Sequence, residues 1–142
     1  MHKVLLIHPD FSLREKLVFV IKHSGFHVVS SGGGEQALSE IYRTHPDLIV
    51  IAESTGKLNG DELCILIREL CHTPILILGQ GSEEVAGIHF LEMGADAYLP
   101  SPLDLREFFA RIRSLLRRHA WEAGDRSHST TESGVLHQEV TN

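Results

Sequence analysis

The sequence predicts an open α/β domain, a parallel sheet of five short strands covered by helices on both faces. Three observations carry that expectation. Apolar runs of four or five residues recur along the 142-residue chain, segments of helical spacing lie between them, and short polar or glycine-bearing loops join the two kinds. Strands that read as continuous apolar runs are those buried on both faces, which is the habit of parallel sheets. So few units exclude a closed eightfold barrel.

Lys3 to His8 is the first expected strand, ended by Pro9, which has no donor for a ladder. Ser12-Leu-Arg-Glu15 then reads as a capping box opening a helix with Leu13, Leu17, Val20 and Ile21 on one side. That helix stops at Gly25 after Lys22 and His23, cations that suit a helix end. Phe26 to Ser30 is the second strand, and Ser31-Gly-Gly-Gly34 a turn without the Gly-Lys-Ser/Thr ending of a phosphate-cradling loop. Glu35 to Thr44 is an amphipathic helix through Ala37, Leu38 and Ile41.

The third strand, Asp47 to Ala52, runs into a polar, glycine-punctuated loop. A helix from Gly60 to Leu70 follows, with Leu63, Ile65, Leu66 and Leu70 on or near one side, and His72-Thr-Pro74 breaks it. Ile75 to Leu78 is the fourth strand and Gly79 to Ser82 a loop. Glu83 to Met93 is a helix closed by Gly94, Ala95 to Leu99 the fifth strand, and Leu103 to Arg118 a long helix. Its apolar stripe is Leu105, Phe108, Phe109, Ile112, Leu115 and Leu116. From Ala120 the composition turns polar and aperiodic, as in linkers. The expected organisation is one domain over residues 1–119 and a linker or tail over 120–142. Val135 to Val140 hints at a strand with nothing to pair with, which suits either a second domain beyond or a frayed end.

A net charge of −6 disfavours nucleic-acid binding by this chain, because such binding rests on neutralising phosphates with Lys and Arg. No apolar run approaches the ~20 residues of a membrane span. The first residues lack a signal-peptide cleavage pattern, so cytoplasmic residence is expected. Cys64 and Cys71 fall about 10 Å apart on one helix at ~1.5 Å per residue, too far to bridge, and are expected as reduced thiols. Of the ten histidines only His8 ends a strand, and it belongs to no His-x-x-x-His or Cys-x-x-Cys pair, so no metal or other cofactor is expected.

Several motifs now fall into one order. His45-Pro-Asp-Leu-Ile-Val-Ile, Asn59-Gly60, Thr73-Pro-Ile-Leu-Ile-Leu, Gly94-Ala-Asp-Ala-Tyr-Leu-Pro-Ser-Pro102 and Arg106-Glu-Phe-Phe-Ala-Arg-Ile-Arg-Ser-Leu-Leu-Arg-Arg118 together resemble the receiver domain of a bacterial response regulator. The likeness covers residues 3 to 118, and the closing helix resembles the winged-helix, OmpR-type branch. It implies a flavodoxin-like, doubly wound five-stranded parallel sheet in the order 2-1-3-4-5. It also implies a chemistry in which a histidine kinase passes a phosphoryl group to an aspartate with the help of Mg²⁺.

Carried over residue by residue, that chemistry meets a changed side chain at every position. Ala52 stands at the phosphoacceptor, His8 and Pro9 at the acidic pair that holds Mg²⁺, Gly79 at the hydroxyl and Ser101 at the lysine. Asp10, next to the old acidic pair, completes the degenerate pocket. The resemblance therefore implies a non-catalytic module, regulated otherwise than by aspartate phosphorylation. Two alternatives stay open: a phosphoacceptor at Glu53, Asp10, Ser54 or Ser101, and a sensor binding a small molecule in the vacated pocket.

The family's docking face is better kept. Tyr98 matches its switch aromatic, and Glu107 and Arg111 match charged residues of the last helix. OmpR-type receivers use these in symmetric dimers through the fourth helix, fifth strand and fifth helix. Ala97 and Gly87 replace the usual charged partners, which weakens or moves that dimer. The expected partners are a second copy or another protein, with DNA reached only through an output domain outside this chain.

Overall fold

The computed structural model describes residues 1–55, 58–81 and 84–130. Five strands form one sheet: β1 (Lys3–Ile7), β2 (His27–Ser31), β3 (Leu48–Ala52), β4 (Ile75–Leu78) and β5 (Ala97–Leu99). Their order is β2-β1-β3-β4-β5, and every neighbouring pair is parallel. This is the flavodoxin-like arrangement expected. The helices are α1 (Phe11–His23), α2 (Gly34–Thr44), α3 (Gly60–Leu70), α4 (Glu84–Glu92) and α5 (Leu105–Thr130).

Alternation along the strands builds two cores. Successive side chains of a strand point to opposite faces. Val4, Leu6, Leu48, Val50, Leu76 and Leu78 therefore meet Ile21 of α1 and Phe108, Ile112 and Leu115 of α5. Leu5, Ile7, Ile49, Ile51, Ile75 and Ile77 meet Ala37 and Ile41 of α2, Leu63, Cys64 and Ile67 of α3, and Phe90 of α4. β3, the central strand, is buried at all five residues. Its carboxyl end is thereby held on both sides.

The amino end of the sheet is fixed by side chains that close backbone groups. Arg68 of α3 donates to the carbonyls of Thr73 and Gly94 and pairs with Asp96 at 2.6 Å, while Asp96 accepts the Ile75 amide at 2.8 Å. Asp47 likewise accepts the Lys3 amide, and Lys3 donates to the Thr44 carbonyl.

Four local expectations are corrected. α1 begins at Phe11, not after Ser12, because Asp10 is the N-cap, its carboxylate accepting the Leu13 amide at 3.0 Å. In α3 the buried stripe is Leu63, Cys64 and Ile67, and Ile65 and Leu70 are exposed; Leu13 and Leu105 likewise face solvent. A short antiparallel ladder pairs Ser54–Thr55 with Leu58–Asn59, where a plain loop was expected, and the Thr55 hydroxyl donates to the Leu58 carbonyl. α5 runs to Thr130, well past the expected end at Arg118. No proline interrupts this stretch, and each residue added to an existing helix gains a hydrogen bond without a new nucleus. Ser82, Glu83 and the Val135 to Val140 segment lie outside the described residues.

Among the described residues no helix is long and apolar enough to cross a membrane. Both cysteines are free, Cys64 buried and Cys71 half-buried.

Candidate functional site

In open α/β sheets, ligands gather beyond the carboxyl ends of the strands. Here those ends carry His8 after β1, Ala52 closing β3, Gly79 after β4 and Ser101 shortly after β5. His8 continues the ladder by donating its amide to the Ser31 carbonyl at 3.0 Å. Its ring Nδ1 accepts the Asp10 amide at 3.1 Å, and its carbonyl accepts Arg14 Nη1 at 2.7 Å. Burial pushes the His8 pKa below its ordinary value, against the pull of Asp10 and with the help of Arg14. The ring is therefore neutral near pH 7, and the acceptor role of Nδ1 leaves its proton on Nε2. Pro9 is exposed. Asp10 spends its carboxylate on capping α1.

Ala52 is 6% exposed and paired in register with Leu78. It offers a methyl group and nothing to ionise. Backbone donors around it are already used: the Glu53 amide on the Leu78 carbonyl, the Gly60 amide on the Glu53 carbonyl, and the Gly79 amide on the Leu99 carbonyl. Gly60 has to be glycine for this approach, since a Cβ would stand 2.7 Å from the Glu53 carbonyl oxygen. The Ser101 amide donates to the Gly81 carbonyl at 2.9 Å, and the Ser101–Pro102 bond is cis.

Three of the expected pocket residues come together. His8, Gly79 and Ser101 line a cavity of about 360 Å³ between α1 and the β5–α5 loop, with Lys16 and Leu17 on one wall and Leu103 on another. Pro9, Asp10 and Ala52 are not part of its lining. A second, more open cavity of about 530 Å³ lies on the α3–α4 side, lined by Glu53, Asp61, His89 and Phe90 among others. Across its mouth His89 Nε2 stands 2.9 Å from Asp61, and that hydrogen bond lowers the Asp61 pKa. Among the described residues no three His, Cys, Asp or Glu side chains converge as a metal cage.

Sequence reasoning passed over Glu53 as a structural partner. Its carboxylate oxygen accepts both the Gln80 amide at 2.9 Å and the Tyr98 hydroxyl at 3.0 Å. Tyr98 is half-buried on β5, its ring stacked on Phe90 of α4 with centroids 5.8 Å apart. The two other expected docking residues, Glu107 and Arg111, are exposed on α5 and face each other at 3.9 Å, one helical turn apart. Ile88 and Leu91 of α4 are exposed as well.

Residues 4–113 match the response regulator receiver domain family. The transcriptional regulatory protein CpxR of Klebsiella pneumoniae is 36% identical over 140 residues, 99% of this chain and 59% of that protein. The sensory transduction protein RegX3 of Mycolicibacterium smegmatis is 31% identical over 136 residues, 96% of this chain and 58% of that protein. The chain thus spans about three-fifths of the length of these two curated relatives. A two-component response regulator from Clostridium difficile superposes with a TM-score of 0.79 at 28% identity, over 84% of this chain and 98% of that one. By sequence over most of its length and by its five-stranded order, this chain belongs to the response regulator receiver domain family, with relatives in the OmpR branch.

Proposed function

We propose that this receiver works without an aspartyl phosphate, as a non-enzymatic cytoplasmic module that acts through self-association or a protein partner. The observation that carries this reading is Ala52, a buried methyl at the carboxyl end of the central strand. Phosphoryl transfer needs a nucleophile, a divalent ion and cationic or hydroxyl donors for the developing charge. His8, Pro9, Gly79 and Ser101 supply none of the carboxylates, the hydroxyl or the amine that the family uses at those places. In the whole protein the module would control a DNA-binding output domain beyond residue 142, with 120–142 as the connecting segment. The name of the CpxR relative as a transcriptional regulatory protein supports that extension. Its own pairing surface would be the face of α4, β5 and α5, with Tyr98, Glu107 and Arg111. The Glu107–Arg111 contact is long and exposed, and such pairs contribute only ~0 to 1 kcal/mol.

The test is intact mass after incubation with acetyl phosphate and Mg²⁺. No added phosphoryl group is expected; a stable adduct at Glu53, Asp10, Ser54, Ser101 or elsewhere sinks the reading.

A second reading has its own observation. The cavity at His8, Gly79 and Ser101 has the size of a small-ligand pocket, and it opens where the family's chemistry has gone. A metabolite sensor would show ligand-dependent thermal stabilisation that a bulky substitution at Gly79 abolishes. A metabolite panel that leaves the melting temperature unchanged counts against it.

A further inference from the structure

Three elements meet around Tyr98, and each has been shaped for its ring. At the end of β4, Gly79 leaves a slot: a Cβ there would fall 2.5 Å from Tyr98 Cζ and nearer still to the hydroxyl. No side chain at residue 79 can coexist with the ring where it lies. On α4, Gly87 gives the ring its second wall, since a Cβ there would stand 3.2 Å from Cδ1, and Phe90 stacks beside it at an interplanar angle of 19°. Beyond β3, Glu53 closes the slot. One of its carboxylate oxygens joins the Gln80 amide to the Tyr98 hydroxyl, so the β4 loop and β5 are tied through one charged acceptor. Hydrogen bonds to an ionised acceptor are about twice as strong as neutral ones.

From this geometry we infer that Glu53 is the positioning residue for Tyr98. Its carboxylate holds the ring in the slot left by Gly79, so the packing of β5 against α4 is set by a residue of the chain itself. The inference deepens the phosphorylation-free reading and rests on it. In a domain whose aromatic answered to a phosphoryl group, the ring would need somewhere else to go. Here both glycines and the Phe90 stack favour one seat, and Glu53 supplies the fixed negative charge that keeps it occupied. A side chain at residue 79 would compete for the same volume as the hydroxyl, so Gly79 and Glu53 favour the same seat for the ring and a side chain at 79 opposes it.

The chain has two tyrosines, and Tyr42 is 66% exposed, so ¹³C-tyrosine-labelled protein carries its own reference signal. The wild-type spectrum is expected to show one ring resonance displaced by the Phe90 ring and one at the position of an exposed tyrosine. Glu53→Ala and Gly79→Thr should each abolish the displacement. Glu53→Gln keeps the shape and an acceptor, and should retain part of it. In the same variants, amide exchange of β5 should speed up about tenfold for loss of a charge-assisted bond. Amides of β1 should keep their protection, which separates a local release from a failure to fold. A displaced ring signal that persists in folded Glu53→Ala overturns the inference, as does a wild-type ring with no displacement. Intact mass after acetyl phosphate and Mg²⁺ is read on the same samples. A phosphoryl adduct with a ring that still follows Glu53 defeats only the phosphorylation-free reading, whereas no adduct with an indifferent ring defeats only this inference.

Discussion

Putting the missing carboxylate back at residue 52 should harm the fold without restoring the chemistry. In Ala52→Asp the new carboxyl replaces a methyl that is 6% exposed at the end of β3. The amides of Glu53, Gly60 and Gly79 are already bonded to Leu78, Glu53 and Leu99, and the His8 ring is neutral near pH 7. Among the described residues the carboxylate therefore meets burial without a ready donor or cation. Burial of this kind raises a carboxyl pKa by about three units, from about 3.9 in the unfolded chain. At about 1.4 kcal/mol per unit, the cost is about 4 kcal/mol at pH 7 and about 1.5 kcal/mol at pH 5. The sign follows from proton counting. The native state holds its proton longer than the unfolded chain, so stability falls as pH rises from about 4 to about 7 and is level above that. Urea denaturation of the variant and the wild type at both pH values measures the difference, with acetyl phosphate and Mg²⁺ added to parallel samples. A loss below about 1 kcal/mol at pH 7 would refute the reasoning. So would a rise of about 1 kcal/mol or more on adding millimolar Mg²⁺, because binding to the native state alone stabilises it and would mean that a metal site had formed.

Three further outcomes are expected. His8 should titrate by NMR below 6.5, and since the unfolded chain then binds the extra proton first, stability should fall with pH from 6.5 down through the folded value. His8→Leu should flatten that slope; a midpoint at or above 6.5 would contradict the cause given. Cys64, whose thiol burial pushes up to about 12, should resist iodoacetamide at pH 8 until urea is added, leaving Cys71 as the thiol modified in native protein by peptide mass mapping. His45 closes α2 in the left-handed region at φ 48°, where glycine is unstrained, so His45→Gly should stabilise by about 0.5 to 1 kcal/mol in urea titration, and a loss would show that the imidazole has a role in the native state.

The sheet was legible because β3 and β4 are uninterrupted apolar runs and β1 is one after Lys3, and β3 has no residue that contradicts the pattern. Boundaries were legible only where one signal stood alone. Asp10 and Ser12 are both good caps, and the choice between them depends on how the chain leaves β1, which no local rule contains. The Ser54–Thr55 ladder is too short to have a period. The end of α5 was missed because composition reports solubility, whereas helix extension depends on an existing helix and on the absence of a breaker. In the candidate site, the departures from the family's residues at 8, 9, 52, 79 and 101 were visible at once. The Glu53–Tyr98 bond was not visible, because it joins residues 45 apart in sequence. A trace of it lay in Gly79 and Gly87, two small residues set around one aromatic. Arg68 and Asp96, 28 residues apart at the other end of the sheet, left no comparable trace.

The neutral character of the strand ends bears on how such a domain holds one conformation. Carboxylates gathered at one point repel one another unless a cation sits among them, and their state then depends on that cation and on any group added to it. Ala52, Pro9 and Gly79 bring no carboxylate to the strand ends, and the His8 ring beside them is neutral near pH 7. Glu53 remains, and among the described residues it has no cationic partner within ion-pair distance, only the Gln80 amide and the Tyr98 hydroxyl. Hydrogen bonds from neutral donors are only weakly sensitive to salt, since screening acts on charge pairs. The arrangement of β5 against α4 should therefore be the same in low salt as in high. On the proposed reading, control of this domain comes from what its surface meets.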